Sequence, residues 1–85
     1  MATPNEKTVD GWESQFGTNH MGHFLLFQLL KDTLLKSATP AFPSRVVSVS
    51  SFGHRSGTCD IDDINFEKRG YEPWKAYGQV RSLLV

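Results

Sequence analysis

The fold is decided by the stretch Arg45-Val46-Val47-Ser48-Val49-Ser50-Ser51. Its three valines are β-branched, which stiffens χ1 and favours the pleated conformation. The run is short and apolar at consecutive positions, as are strands covered on both faces of a parallel sheet. We therefore predict one buried strand ending at a serine pair. Ligands bind beyond the carboxyl ends of such strands, although a serine pair after valines is also ordinary turn chemistry.

A long helix is predicted before this strand. Asp10, with Glu13 three residues later, forms a capping-box pattern at the predicted start. The helix is predicted to run to about Ser37, because two prolines follow within the next six residues. Residues 24–30 are apolar nearly all round, so one face can pack on a sheet while the other needs a partner.

The chain after the strand predicts a long polar loop over residues 52–73 and the beginning of a second helix over residues 74–85. A single parallel strand has no partner among these elements, and its backbone groups need one. The predicted fold class is therefore α/β, as a partial Rossmann-like fragment of a doubly wound parallel sheet. It contains a long helix, one buried strand, a long loop and the start of a helix.

Composition narrows the classes of function. The 85 residues carry nine basic and nine acidic side chains, so no basic stripe favours nucleic acid. No apolar run approaches the roughly 20 residues of a membrane span. The single cysteine, Cys59, excludes an internal disulfide and is typical of a reducing compartment, so we predict a cytoplasmic protein.

Three sharper interpretations fail on spacing. The candidate metal ligands are His20, His23, His54 and Cys59. They lack the spacing of known zinc motifs, and we predict no metal site. Residues 60–67 place Ile64 and Asn65 where a calcium loop needs a ligand and a glycine. Residues 53–57 follow the strand but lack the third glycine of a dinucleotide loop and lead into acidic sequence, not a helix.

One constellation remains. Ser51 at a strand end, Tyr77 on a helix and Asn19 inside a glycine-weakened helix are candidates to converge around a carbonyl group. The chain here resembles the short-chain dehydrogenases/reductases, in its retinol-dehydrogenase-like and WW-domain-oxidoreductase-like branch. The stretches that carry the resemblance are residues 16–24, 45–51 and 76–79, with residues 62–67 and 70–71 between them.

The resemblance implies an oxidoreductase that interconverts a small-molecule alcohol and carbonyl with NAD or NADP. Ser51 would bind the substrate oxygen, Tyr77 would exchange a proton with it, and Asn19 would support the helix and a water relay. The family has a lysine four residues after the tyrosine, where this chain has Arg81. Tyr77 and Arg81 are also the implied cofactor-binding residues. A cation near the phenol is chemically needed, because a phenol with a pKa of about 10 is a poor base at neutral pH.

The family's glycine-rich cofactor loop lies on an N-terminal βαβ unit. We expect residues 1–85 to be a central fragment of such a domain, lacking that loop and the C-terminal part, and inactive alone. The alternative is a non-catalytic remnant or interaction fragment. In that case the apolar helix would pair with a related subunit, for example as a homo-oligomer.

Overall fold

The computed structural model describes residues 1–84, which form a chain rich in helix. The elements in order are α1 (Ser14–Phe16), a π-helical turn (Gly17–Met21), α2 (Gly22–Ser37), two 3-10 turns (Phe52–Ser56 and Ile61–Asp63) and α3 (Pro73–Ser82). The only β-bridge among the described residues is an isolated antiparallel one between Lys7 and Glu13. The second helix, which the sequence predicts over residues 74–85, ends at Ser82 in the structure, and Val85 lies outside the described residues.

The first helix begins three residues later than the capping pattern predicts. Glu13, not Asp10, is the N-cap, and its carboxylate accepts hydrogen bonds from the backbone N–H groups of Gln15 and Phe16, both at 2.9 Å. The start at Asp10 is wrong because the chain turns there: Gly11 has φ of +89° and donates to the Thr8 carbonyl. That backbone conformation is left-handed and cannot begin a right-handed helix.

The predicted end of this helix at Ser37 is confirmed, but its course contains an unpredicted π-helical turn, Gly17–Met21. Gly17 there lies hard against the preceding turn, since a Cβ at this position would be 2.6 Å from Cγ2 of Thr8. Single π-helical turns inside α-helices occur frequently at functional sites. This one contains Asn19, a candidate site residue.

The predicted buried strand at residues 45–51 is not observed. Val46, Val47 and Val49 are 60%, 81% and 72% exposed, and the segment forms no β-bridge within residues 1–84. A strand requires a neighbour for its backbone groups, and the described chain offers none. The composition of the segment is that of a covered strand, but no second strand lies beside it.

Close backbone packing joins α3 to the turn Phe52–Ser56. Ala76 and Val80 are fully buried, and Gly78 lies between them on the helix. A Cβ at Gly78 would be 2.6 Å from the Gly53 carbonyl oxygen and 2.6 Å from the Gly57 nitrogen. Only a residue without a side chain permits this approach, so the glycines fix the distance between the turn and the helix.

Buried polar side chains attach the first helix to the loop before α3. The Gln15 amide donates to the Tyr71 hydroxyl at 2.9 Å and to the Pro73 carbonyl at 3.0 Å. The Tyr71 hydroxyl donates in turn to the Thr3 carbonyl at 2.8 Å. Because the Gln15 side chain is only 2% exposed, its amide has little access to water, and losing one of these partners is costly.

Helix α2 has no buried residue, although the sequence predicts that it is covered on more than one side. Leu25 and Leu29, one turn apart, are 58% and 71% exposed. Of the helices in residues 1–84, none is long and apolar enough to cross a membrane. An exposed apolar surface like the one on α2 is typical of a site where another protein surface packs.

Candidate active site

Gly53 lies between Ser51 and the ring of Tyr77 and allows the two residues to approach each other. Ser51 is the N-cap of the turn Phe52–Ser56, and its hydroxyl accepts from the Gly53 N–H at 3.1 Å. A Cβ at Gly53 would be 2.7 Å from Cε1 of the Tyr77 ring and 3.3 Å from the Ser51 hydroxyl oxygen. The Tyr77 ring therefore packs directly on the turn that Ser51 begins. Tyr77 itself is 7% exposed.

The surroundings of Tyr77 favour its ionised form. The Ser51 side chain contributes most to lowering the pKa of the Tyr77 phenol from its usual 10.0, followed by hydrogen bonding to Arg81. Burial opposes this shift, and the positive charge of Arg81 adds to it. A hydrogen-bond donor and a cation next to a phenol both stabilise the phenolate. Ser51 and Arg81 together therefore make the Tyr77 phenol easier to ionise than a free phenol.

Arg81 lies one helical turn after Tyr77, with its guanidinium carbon 5.1 Å from the centre of the Tyr77 ring. One terminal nitrogen donates to the Val49 carbonyl at 2.8 Å, so the arginine also holds the valine segment. Its Nε is buried and has no hydrogen-bond partner among the described residues. A buried donor without an acceptor fits an oxygen-rich group placed beside it, such as a ribose hydroxyl.

Asn19 does not share a cavity with Ser51 and Tyr77. It lines a cleft of about 770 Å³ between α2 and the valine segment, which Arg81 also lines but Ser51 and Tyr77 do not. The other walls are predominantly apolar side chains of α2 and the valines. Arg81 is thus the one residue of the four candidates that reaches both the cleft and the tyrosine.

Two of the three histidines considered as metal ligands have other contacts. The His20 ring packs on Phe16 with 5.2 Å between ring centres, and His54 Nδ1 lies 2.8 Å from the Ser51 carbonyl oxygen. Residues 1–84 contain no cluster of three or more metal-binding side chains. Burial raises the pKa of the Cys59 thiol and outweighs the nearby Arg69, so this thiol is protonated and weakly nucleophilic at neutral pH.

Asp63 has a structural role that the sequence did not reveal. In the sequence it is one of three aspartates in a polar loop, and nothing distinguishes it from the other two. Its carboxylate accepts from the backbone N–H groups of Glu67, Lys68 and Arg69 at 2.8, 3.0 and 3.0 Å. Burial raises the pKa of Asp63, but these donors and the Arg69 charge together lower it. The loop that follows the catalytic candidate Ser51 is therefore an ordered structure, folded around a buried carboxylate.

The chain is similar over its whole length to proteins of known class. It is 55% identical to the short-chain dehydrogenase/reductase prx1 of Penicillium roqueforti, of which it covers 25%. It is 46% identical to human retinol dehydrogenase 13 and 45% identical to human polyprenol dehydrogenase, covering 24% and 26% of them. No protein-family model matches the chain.

The same correspondence is found in a solved structure. The crystal structure of an uncharacterised protein from Mycobacterium paratuberculosis superposes with a TM-score of 0.77 at 45% identity, over 95% of this chain and 27% of that one. The chain thus spans about a quarter of the length of the curated relatives it matches.

Proposed function

We propose, from the premise that this chain is homologous to a segment of the short-chain dehydrogenases/reductases, that it carries the proton-transfer residues of an alcohol/carbonyl oxidoreductase. The observation that supports the proposal most is the packing of Tyr77 on the turn begun by Ser51, with a phenol pKa lowered by Ser51 and Arg81. Two of the relatives named above are, by their names, dehydrogenases of retinol and of polyprenol, which are alcohols.

Ser51 and Tyr77 have separable roles in this proposal. In the direction of reduction, the Ser51 hydroxyl donates a hydrogen bond to the carbonyl oxygen of the substrate, and Tyr77 Oη gives that oxygen a proton. In the direction of oxidation, the phenolate takes the proton from the alcohol. Proton transfer by a positioned group is most effective when its pKa lies near the working pH, so the lowered phenol pKa favours both directions.

A nicotinamide cofactor, NAD or NADP, supplies or accepts the hydride when it is bound. The residues of this chain that would hold it are Tyr77 and Arg81, and the buried Nε of Arg81 fits an oxygen acceptor on it. The pyrophosphate requires backbone N–H groups at a glycine-lined helix start, as in the family's cofactor loop. Residues 53–57 pack on α3 instead, so we expect no turnover by residues 1–85 alone.

The test is a graft of residues 1–85 into the corresponding segment of a complete relative, assayed on a panel of ketones, aldehydes and their alcohols. Tyr77→Phe should lower kcat/KM by about 100-fold or more, because it removes the proton donor and preserves the ring packing. Tyr71→Phe is the control for loss of a phenol: the Tyr71 hydroxyl bonds to Thr3, Glu13 and Gln15 and not to Ser51, so the change should lower stability but not kcat/KM. Equal rates for Tyr77→Phe and the unaltered graft would refute the proposal.

The interaction fragment is the second candidate, and the exposed leucines of α2 favour it. In that case the graft would be inactive with or without the tyrosine substitutions, while the 85-residue chain would still associate through α2.

A further inference from the structure

Helix α3 is attached to the loop of residues 60–69, the acidic loop, by one buried amide, that of Gln79. Gln79 is 0% exposed. Its amide oxygen accepts from the Arg69 guanidinium, and its amide nitrogen donates to the Ile64 carbonyl at 3.0 Å. The backbone N–H of Asp60 also donates to the amide oxygen, at 3.4 Å. Both ends of the amide are therefore bonded, and its orientation is fixed from three points of the same loop.

The loop can serve as an anchor because it is rigid around Arg69. The Arg69 guanidinium lies 3.9 Å above the Phe66 ring, and its Nε is 3.5 Å from the Asp63 carboxylate. Asp63 in turn accepts three backbone N–H groups of the same loop. A planar guanidinium can stack on a ring and bond in its own plane at once, which a lysine ammonium cannot do.

Gln79 and Tyr77 lie on opposite sides of α3. Two residues correspond to about 200° around a helix, so a rotation of α3 about its axis moves both side chains by the same angle. The apolar residues Ala76 and Val80 are buried but impose no hydrogen-bond direction. The directional bonds that oppose rotation on this side are those of Gln79.

We propose that Gln79, held by Arg69 and the Ile64 carbonyl, is a positioning residue that fixes the rotation of α3 and with it the approach of the Tyr77 phenol to Ser51. The proposal rests on the proposed role of Tyr77. It assigns to the acidic loop a function that its sequence does not indicate. Gln79 acts through the helix and touches neither hydroxyl.

The experiment measures the pKa of the Tyr77 phenol by tyrosine-ring 13C NMR in the full chain, with Tyr77→Phe to assign the signal. Gln79→Met keeps size and neutrality but removes every hydrogen bond of the side-chain amide. Arg69→Lys keeps the charge but not the planar contact. Neither variant changes the net charge, and neither replaces Ser51 or Arg81, the residues that face the phenol. A shift in the phenol pKa therefore reports a change of position and not an added charge.

We expect the phenol pKa to rise toward 10.0 in Gln79→Met and to rise by less in Arg69→Lys. Lys7→Ala is the control, because it removes an exposed ion pair with Glu67 of the same loop without touching α3. It should leave the phenol pKa unchanged.

A purely structural role would lower the thermal stability of both variants while the folded protein kept the parent's phenol pKa, and that result would overturn the proposal. Unfolding of both variants would also overturn it. In that case the hydrogen bonds of Gln79 would be needed for the whole fold and not for the position of Tyr77. The proposed function is tested separately: an active Tyr77→Phe graft would refute the role of Tyr77 whatever the phenol pKa does.

Discussion

Gly78→Ala tests whether backbone contact between α3 and the turn Phe52–Ser56 builds the site. On an exposed helix the change would be favourable by about 1 kcal/mol, because alanine is the better helix former. Here the new Cβ would be 2.6 Å from two backbone atoms, those of Gly53 and Gly57, which no side-chain rotation can relieve. The turn must move outward and take Ser51 with it.

The size of the effect follows from these two opposing contributions. Forcing a methyl group into a packed site costs about 1–3 kcal/mol, and contact with backbone on two sides places this case at the upper end. Subtracting the gain in helix propensity leaves a loss of about 1–2 kcal/mol in the free energy of unfolding. For a chain of this length that lowers Tm by about 5–15 °C.

Thermal unfolding of the full chain, followed by circular dichroism at low micromolar concentration, measures this loss. Gly70→Ala is the matched control, since a Cβ there meets nothing within 4 Å, and it should be neutral or slightly stabilising. The phenol pKa of Tyr77 should rise in Gly78→Ala as Ser51 moves away. A Gly78→Ala chain as stable as the control would show that the glycine approach does not hold the turn.

Three further predictions concern other parts of the molecule. Because the pKa of Asp63 is lowered from 3.8 on folding, its contribution to stability is present above pH 3.8 and is lost as the pH falls through the lower folded value. In acid titrations followed by circular dichroism, Asp63→Asn should weaken the chain at neutral pH and flatten this loss, whereas the exposed Asp62→Asn should do neither. Leu25→Glu combined with Leu29→Glu should shift the chain toward monomer in sedimentation velocity, and an unchanged distribution of species would count against α2 as the associating surface. Alkylation of Cys59 by iodoacetamide at pH 7 should be slower than that of a free cysteine, and a rate equal to free cysteine would contradict the raised thiol pKa.

The helical parts of the fold were predictable because they depend on local chemistry. The helix ends at Ser37 for a local reason, the prolines that follow it. Its start was mispredicted by three residues because the carboxylates of Asp10 and Glu13 can both accept N–H groups at a helix start, and the choice depends on the left-handed backbone at Gly11. The pattern of side chains does not record that backbone angle.

The valine segment shows the opposite case, a prediction that depends on a partner. Three β-branched residues favour a strand, but a strand forms only against another strand, and none lies beside it within residues 1–84. Asp63 was overlooked for a related reason. A carboxylate that accepts three N–H groups from residues four to six positions later has the same sequence signature as a solvated acidic loop, and only the path of the chain distinguishes them.

Arg81 makes two contacts at once, one with the Tyr77 ring and one with the Val49 carbonyl, and we expect a lysine to make only one of them. Its guanidinium lies over the Tyr77 ring and also donates to the Val49 carbonyl, so it ties the valine segment to α3 while it lowers the phenol pKa. A lysine is a compact cation with no planar fork, so it can approach the phenol and a ribose more closely but cannot hold Val49 at the same time.

Arg81→Lys in the graft should therefore move activity and stability in opposite directions. We expect kcat/KM to rise about tenfold, equivalent to about 1.4 kcal/mol of transition-state stabilisation. Tm should fall, because the bond to the Val49 carbonyl is lost. Adding Tyr77→Phe to the lysine variant should abolish the gain in rate but not the loss in Tm. If both quantities rise together, the bond to Val49 contributes nothing, and if kcat/KM does not rise, the guanidinium already serves the phenol as well as an ammonium would.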